Sequence, residues 1–296
     1  MGVSVYQIVT DRIIAELEKG IIPWERPWTG VREGAYSRAT GKPYSLLNQL
    51  LLGKPGEYLT YKQAQEAGGQ VRKGEKGSIV VFWKMDAKAD KDKDTGEMKV
   101  KHFPILKYYH VFHIDQCDGI EPKHKEPAFA PLDPIAEAER VLQDYSTRCH
   151  VPIIHEKSNR AFYRPSEDAI HLPLMEQFTR QAEYYSVAFH ESVHSTGHKS
   201  RLNRLDNSAR FGSEVYSKEE LVAEIGAATI LNELGIETSS SFRNSAAYVQ
   251  SWLHALKDDP KMIVSASGKA EKAVRLILNV DKDNENNEGH VASRAA

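Results

Sequence analysis

The sequence predicts an α+β protein that folds as two domains, and three observations support this. The chain has 296 residues, more than one average domain needs. Segments with helical spacing of apolar residues are mixed with segments of strand-like alternation. Residues 119–127 are rich in proline and charge and follow neither pattern, as is typical of a linker. We therefore expect domains over residues 1–125 and 131–280, and a polar, disordered tail over residues 281–296.

An amphipathic helix is predicted at the start of the N-terminal domain. Ser4 and Gln7 have the spacing of a helix-start capping pair, and Gly20 is suited to end the helix. Residues 23–28 then hold two tryptophans in a loop stiffened by two prolines. Two further short helices are expected over residues 44–52 and 61–67.

A pair of strands is predicted for the second half of this domain. A basic turn over residues 72–77 leads into a run of β-branched and aromatic residues over 78–83. Residues 108–114 have the composition of a returning strand. The charged stretch from Lys88 to Glu97 is expected to be a solvated loop.

Aromatic and basic residues are interleaved in this domain, which favours binding of single-stranded nucleic acid. Bases stack on aromatic rings while cations follow the phosphates, and neither contact requires a particular base sequence. The candidate stacking residues are Trp24, Trp28, Tyr44, Tyr61 and Trp83. The candidate phosphate contacts are Arg72, Lys73, Lys76 and Lys84. The alternative is a small aromatic core beside a solvated basic turn, and these residues alone do not decide between the two.

The C-terminal domain contains an HExxH motif at residues 190–194. On a helix, His190 and His194 lie one turn apart on the same face and can bind one Zn²⁺ ion, with Glu191 as general base. We expect this helix to run from about residue 178 and to end at Gly197 in a left-handed conformation. Three short segments, residues 153–155, 161–163 and 169–172, are expected to form a small sheet beside it.

The third metal ligand must come from elsewhere in the chain, because Ser200 stands where the metzincin pattern has its third histidine. A helix predicted from Ser217 begins with acidic residues, and its segment Glu220-Leu221-Val222-Ala223-Glu224 resembles the ExxA[DN] variant of gluzincin-type peptidases. By that resemblance Glu220 binds the metal and Glu224 orients a ligand histidine. Glu224 and then Glu219 are the alternative ligands. In another interpretation, Ser217 and Glu220 form a capping box.

If the site is catalytic, an oxyanion donor is also needed, and Tyr216 and His198 are the candidates. Elsewhere the sequence excludes several classes of protein. Its two cysteines, Cys117 and Cys149, lack metal-site spacing and favour a reducing cytoplasm over a disulfide framework. No apolar run has the length of a membrane span, and the N-terminus lacks the plan of a signal peptide. We therefore expect a cytoplasmic protein without membrane contact.

Several segments of the chain occur together, in this order, in one known family. They are Ile22-Pro23-Trp24, residues 41–44 (GKPY), 59–64 (LTYKQA), 71–77 (VRKGEKG), 109–112 (YHVF), 189–198 (FHESVHSTGH), 219–224 (EELVAE) and 246–253 (AAYVQSWL). With these segments the chain resembles the ArdC-type antirestriction proteins of conjugative plasmids over nearly its whole length.

The resemblance implies an N-terminal domain that binds single-stranded DNA, of a type also fused to plasmid primases, and a C-terminal zincin-like metallopeptidase domain. It implies that the protein shields incoming plasmid DNA from host restriction during conjugation. Two functions follow. The protein is either a DNA-protecting binder whose metal site is structural, or a zinc metallopeptidase that DNA brings to a protein target such as a restriction subunit. A priming role ranks last, because no acidic cluster typical of nucleotidyl transfer stands out.

Overall fold

The computed structural model describes residues 4–25, 34–91, 98–123, 134–205, 214–237 and 246–280. Residues 124–127 of the expected linker and all of the expected disordered tail lie outside these ranges. Within them, strands and helices are mixed along the chain, which confirms the α+β fold class. No described helix is both long enough and apolar enough to cross a membrane.

The first helix, α1 (Val5–Leu17), begins where the sequence predicts. The Oγ atom of Ser4 accepts a hydrogen bond from the backbone N–H of Gln7 at 3.2 Å. The Gln7 side chain, however, donates to Asp11 at 2.8 Å, so only one half of the predicted capping pair forms. One face of α1 is buried, and Gly20 ends the segment with a positive φ of 76°.

A four-stranded sheet forms the centre of the N-terminal half. Its strands are β1 (Ala35–Ser37), β2 (Gly56–Leu59), β4 (Ser78–Lys91) and β5 (Met98–His113), in the order β1-β2-β5-β4. The first pair is parallel and the others are antiparallel. Two short helices, α2 (Leu46–Leu52) and α3 (Tyr61–Glu66), and a small ribbon of β3 (Gln70–Val71) with β6 (Cys117–Asp118) complete this half.

The hairpin of β4 and β5 is longer than the sequence predicts. Residues 88–91, expected in a solvated loop, are paired with the other strand, from Lys88 opposite Lys101 to Lys91 opposite Met98. The returning strand begins ten residues before the predicted position 108. The prediction was wrong for these four residues, because ladder hydrogen bonds join backbone groups, so charged side chains can project into solvent from a paired strand. Residues 92–97 of the predicted loop lie outside the described ranges.

The C-terminal half begins with α4 (Pro134–Cys149), with a proline in the first turn as predicted. The strands β7 (Ile153–Glu156), β8 (Phe162–Arg164) and β9 (Ala169–Pro173) follow. They form the small sheet that the sequence predicts, in the order β7-β9-β8, with β8 antiparallel at one edge. Four helices complete this half: α5 (Gln181–Thr196), α6 (Glu214–Glu233), α7 (Ala246–Asp258) and α8 (Met262–Ile277).

The two halves share one hydrophobic core. Trp24 packs edge-on against Trp252 of α7, with ring centroids 5.2 Å apart, and only 1% of its surface is exposed. The Thr10 hydroxyl donates to the carbonyl of Pro260 at 2.8 Å, and the Leu46 N–H donates to Glu271 of α8 at 2.8 Å. The prediction that Trp24 stacks on DNA bases was therefore wrong, because its ring is enclosed by the second half of the chain.

Candidate metal centre and nucleic-acid surface

Helix α5 presents both histidines of the HExxH motif on one face, where His190 is buried and His194 is half-buried. The Nε2 atoms of His190 and His194 lie 3.1 Å apart, and the two rings are nearly perpendicular. Both nitrogens face helix α6. There the Glu220 carboxylate lies 3.6 Å from Nε2 of His190 and 3.4 Å from Nε2 of His194.

These three donors have the spacing that a tetrahedral metal ion requires. With metal–nitrogen bonds of about 2.05 Å, two ligands of a tetrahedral ion lie about 3.3 Å apart. The three observed separations are 3.1, 3.4 and 3.6 Å. The donor set, two imidazoles and one carboxylate, is the kind that divalent zinc and its neighbours prefer. Among the described residues, His190, His194 and Glu220 form the one group of this kind.

The alternative interpretation of Glu220 as part of a capping box is wrong. Helix α6 begins at Glu214, three residues before Ser217, so Ser217 lies inside the helix. A capping residue stands just before the first turn of a helix, where the backbone N–H groups lack partners. Ser217 does not stand at that position.

A glycine allows α6 to approach the metal-binding helix closely. A Cβ atom added at Gly226 would lie 2.8 Å from Cγ2 of Val193, between the two histidines on α5. Any side chain at position 226 would therefore push the helices apart. The close packing holds Glu220, which precedes Gly226 on the same helix, opposite His190 and His194.

Gly197 ends α5 for a reason that differs from the prediction. Its φ is −77°, in the right-handed region, so no left-handed residue is needed there. A Cβ atom at this position would instead meet Cγ of Leu205 at 2.7 Å. The chain folds back here, and the N–H groups of Arg204 and Leu205 both donate to the carbonyl of Gly197. Gly197 is therefore required by space and not by backbone conformation.

Each histidine also meets a carboxylate on its other ring nitrogen. Glu224 lies 3.5 Å from Nδ1 of His190, in the orienting position that the resemblance implies. Glu219 lies 3.3 Å from Nδ1 of His194, so the structure places this residue behind the histidine and not among the converging donors. Arg204 in turn donates to both oxygens of Glu219, at 2.8 and 3.1 Å. Sequence reasoning missed Arg204, because it lies outside every motif.

The electrostatics of the cluster follow from these contacts. Burial by itself lowers the pKa of His194, but Glu219, Glu220 and Glu191 raise it to about 10. Burial would raise the pKa of Glu220, yet hydrogen bonds from His190 and His194 hold it well below its usual range. Glu220 is therefore ionised at neutral pH, and a proton on His194 would have to leave before a metal ion could bind.

Glu191 is held against the sheet. The backbone N–H of Tyr163 in β8 donates to Oε2 of Glu191 at 3.0 Å, and the carboxylate is buried. This contact fixes the side chain beside the converging donors, where a general base is needed.

Of the two candidate oxyanion donors, the structure describes the side chain of His198 only. His198 contacts the hydroxyl of Ser200 at 2.7 Å and Asp168 at 3.3 Å. The side chain of Tyr216 lies outside the described residues.

Asp168 also binds Arg201 and accepts a hydrogen bond from the Tyr163 hydroxyl at 2.7 Å. Asp168 and Arg201 were not predicted, because neither belongs to a recognisable motif.

The predicted DNA-binding residues separate into exposed and packed groups. The rings of Tyr61 and Trp83 are 53% and 49% exposed, whereas Tyr44 packs edge-on against Tyr58 in a second, smaller core. Burial holds the pKa of Tyr44 well above its usual value. Tyr44 is half-buried and not enclosed, so its contact with DNA stays a prediction. Trp28 lies outside the described residues.

The basic candidates also differ in their partners. Arg72 lies 3.1 Å from Glu75 and 3.5 Å from Asp118, so acidic neighbours already compensate its charge. Lys73, Lys76 and Lys84 are exposed, and none of them lies within ion-pair distance of a carboxylate in the described part of the chain. These three lysines are the stronger candidates for phosphate contacts.

Comparison with known families matches both halves of the chain. Residues 3–112 match the family model of the N-terminal domain of anti-restriction factor ArdC, and residues 137–269 match that of a zincin-like metallopeptidase. Two crystal structures of the antirestriction ArdC protein from plasmid R388 have the same fold. The Mn(II)-bound structure has a TM-score of 0.72 and 36% sequence identity, covering 94% of this chain and 98% of that one. For the metal-free structure the TM-score is 0.69 and the identity 38%.

Curated relatives of very different length also match. DNA primase TraC of Escherichia coli is 38% identical over 294 residues, which cover 92% of this chain and 27% of the primase. This chain thus spans about a quarter of that relative. The protein y4eC of Sinorhizobium fredii is 33% identical over 302 residues, covering 96% of this chain and 95% of its own length.

Proposed function

The chain belongs to the ArdC antirestriction family, and from this premise we propose that it binds single-stranded DNA and protects incoming plasmid DNA from host restriction during conjugation. It would act in the cytoplasm, where the transferred strand arrives. DNA binding is assigned to residues 1–125 and metal binding to residues 131–280.

The observation that carries the proposal is the pairing of exposed aromatic rings with exposed lysines in the N-terminal half. Tyr61 and Trp83 are both about half exposed, whereas tryptophan side chains are highly buried on average. Lys73, Lys76 and Lys84 supply positive charge without acidic partners in the described part of the chain. In single-stranded DNA, the bases can stack on such rings and the phosphates can pair with such lysines.

For the metal, we propose Zn²⁺ bound by His190, His194 and Glu220. The converging donors described above support this assignment. Glu224 and Glu219 would hold the two imidazoles in place from behind, at 3.5 and 3.3 Å. A bound divalent ion would act there as a Lewis acid toward a carbonyl group or a water molecule.

A second candidate function is a DNA-recruited zinc metallopeptidase that cleaves a protein target, such as a subunit of a host restriction system. The position of Glu191 favours it, since the side chain is buried, its carboxylate is fixed by the Tyr163 N–H, and it follows His190 directly on α5. A carboxylate in this place can accept a proton from an attacking water molecule and later deliver it to the leaving amine. A purely structural metal site does not need such a residue.

The experiment that tests the first function is salt-dependent binding of the full-length protein to labelled single-stranded and double-stranded DNA. We expect tighter binding to single strands, with an affinity that falls steeply as salt increases. Replacing Lys73 and Lys76 together by glutamine should weaken binding and flatten the salt dependence. Equal affinity for both forms of DNA would contradict the proposal.

Glu191→Gln distinguishes the two functions, because it removes the general base and keeps the size of the side chain. If protection needs only DNA binding, this variant should protect a transferred plasmid as well as the wild type does. If protection needs peptide cleavage, protection should be lost while DNA affinity is unchanged. Loss of DNA affinity in the same variant would refute the assignment of DNA binding to the N-terminal half.

A further inference from the structure

A cleft of about 420 Å³ lies where the two halves of the protein meet. Tyr6 of α1 and Trp83 of β4 form one wall, and α6 and the first turns of α8 form the other. It is separate from the metal-binding cluster, and neither proposed function uses its C-terminal wall.

The aromatic wall has the exposure that base stacking requires. Trp83 packs against Tyr6 with ring centroids 6.5 Å apart at an angle of 62°. This contact fixes the orientation of the indole, yet 49% of the residue remains accessible. A tryptophan that is held on one side and half exposed can stack a base with little loss of conformational entropy.

The opposite wall carries positive charge. Lys261 places its Nζ 5.7 Å from the centre of the Tyr6 ring, and Lys269 is exposed two turns further along α8. Neither lysine lies within ion-pair distance of a carboxylate in the described ranges. The one acid of the cleft, Asp259, is paired with Lys218 at 2.8 Å, which contributes to holding the pKa of Asp259 below its usual value. The cleft therefore keeps a net charge of about two positive units at neutral pH.

The floor of the cleft is apolar and buried. Val222, Met262 and Val264 line it and belong to the main hydrophobic core. The first turn of α8 also points its positive helix end into this region, although Asp259 accepts a hydrogen bond from the N–H of Lys261 there. Aromatic surface, an apolar floor and a net positive charge together match a nucleotide, which has a flat base at one end and a phosphate at the other.

We infer that this cleft binds one nucleotide of single-stranded DNA, with the base against Trp83 and the backbone phosphates at Lys261 and Lys269. The inference rests on the proposed DNA-binding function and extends the binding surface into the zincin-like half. An acidic peptide would satisfy the two lysines but would leave the half-exposed indole without a stacking partner.

The test is salt-dependent binding of a labelled single-stranded oligonucleotide to the full-length protein and its variants. Replacing Lys261 and Lys269 together by glutamine should reduce the slope of log affinity against log salt by about 1.4, if each lysine neutralises one phosphate. Trp83→Ala should weaken binding by roughly 5- to 150-fold, the range for loss of one stacked base. Trp83→Phe, which keeps an aromatic ring, should recover most of that loss.

Lys272→Gln is the matched control, since Lys272 is exposed on the same helix and does not line the cleft. If the double lysine variant behaves like this control while the wild type still prefers single strands, the cleft is not a binding site and the proposed function stands. If the wild type itself shows no preference for single strands, the proposed function fails. Tighter binding of an acidic peptide than of the oligonucleotide, abolished in the double variant, would also overturn the inference.

A second measurement does not depend on the stability of variants. An oligonucleotide that contains photoreactive 5-iodouracil should crosslink to Trp83 in the wild-type protein, and the crosslinked peptide can be identified by mass spectrometry. Crosslinks confined to Tyr61 and the basic turn would place the strand elsewhere and refute the assignment of this cleft.

Discussion

Oε1 of Glu219 lies 3.3 Å from Nδ1 of His194, and the same carboxylate accepts two hydrogen bonds from Arg204. The guanidinium group thus holds the carboxylate, and the carboxylate holds the imidazole. Arg204 reaches this position because the chain folds back at Gly197 and returns beside α5. The arrangement fixes the ring so that its Nε2 points toward Glu220.

Glu219→Gln should weaken divalent metal binding by roughly 10- to 100-fold, the range for partners of metal-bound histidines. The amide keeps the size of the side chain but removes the charge that orients the imidazole and favours its metal-bound form. Competition with a chelator of known affinity measures the effect. Glu183→Gln, at a half-exposed position on α5 paired with Arg180, is the control and should leave the affinity unchanged. Equal affinities in both variants would contradict a positioning role.

Glu220 and Glu224 should differ in their effect on metal binding. Glu220→Gln removes a charged donor that faces both Nε2 atoms, whereas Glu224→Gln changes a contact behind His190. We expect the first variant to lose more than about 100-fold in affinity and the second roughly 10- to 100-fold. Titration of the metal-free protein with Zn²⁺ and with Mn²⁺ measures both. A larger loss in Glu224→Gln would identify Glu224 as the third ligand.

Gly226→Ala should destabilise the protein by about 1–3 kcal/mol, because the new methyl group overlaps Val193 and the helices must separate. The separation also moves Glu220 from the histidines, so metal affinity should fall in the same variant. Gly268→Ala on α8 is the matched control, since a Cβ atom there meets no atom within 4 Å. That change should be neutral or stabilise the helix by up to about 1 kcal/mol. Chemical denaturation measures the free energy of unfolding of both variants. Similar values would disprove the packing argument.

Asp168→Asn should reduce the free energy of unfolding at pH 7 by roughly 1–3 kcal/mol, because Asp168 accepts charged hydrogen bonds from Arg201. Asparagine suits the positive φ of 50° at this position, so the change tests the charge and not the backbone. Although burial raises the pKa of Asp168, Arg201 and Tyr163 hold it below its usual value.

The sign of the pH effect follows from that lowered pKa. The stabilisation by Asp168 is fully present above the unfolded-state pKa of about 3.9 and is lost as pH falls through the lower folded-state value. The difference in unfolding free energy between the wild type and Asp168→Asn should therefore shrink as the pH falls below about pH 4. A difference that grows over that range would have the wrong sign for this ion pair.

What the sequence predicts correctly here depends on local geometry. His190 and His194 could be assigned because helical spacing alone puts them on one face, and the small sheet because strand alternation is a local signal. Arg204 and Asp168 act through contacts between distant segments, which no local pattern contains. For Trp24, a local pattern led to a wrong prediction. Two tryptophans beside prolines suggest an open aromatic surface, but α7 covers Trp24, and its burial depends on a segment more than 200 residues away.

The contact between Trp24 and Trp252 makes the closed core depend on both halves of the chain. A gene that acquired only the codons of the N-terminal half would encode a protein whose core face, including Trp24, is open to water and prone to aggregate. The segment matched in DNA primase TraC, a protein almost four times as long, covers 92% of this chain and so includes both halves.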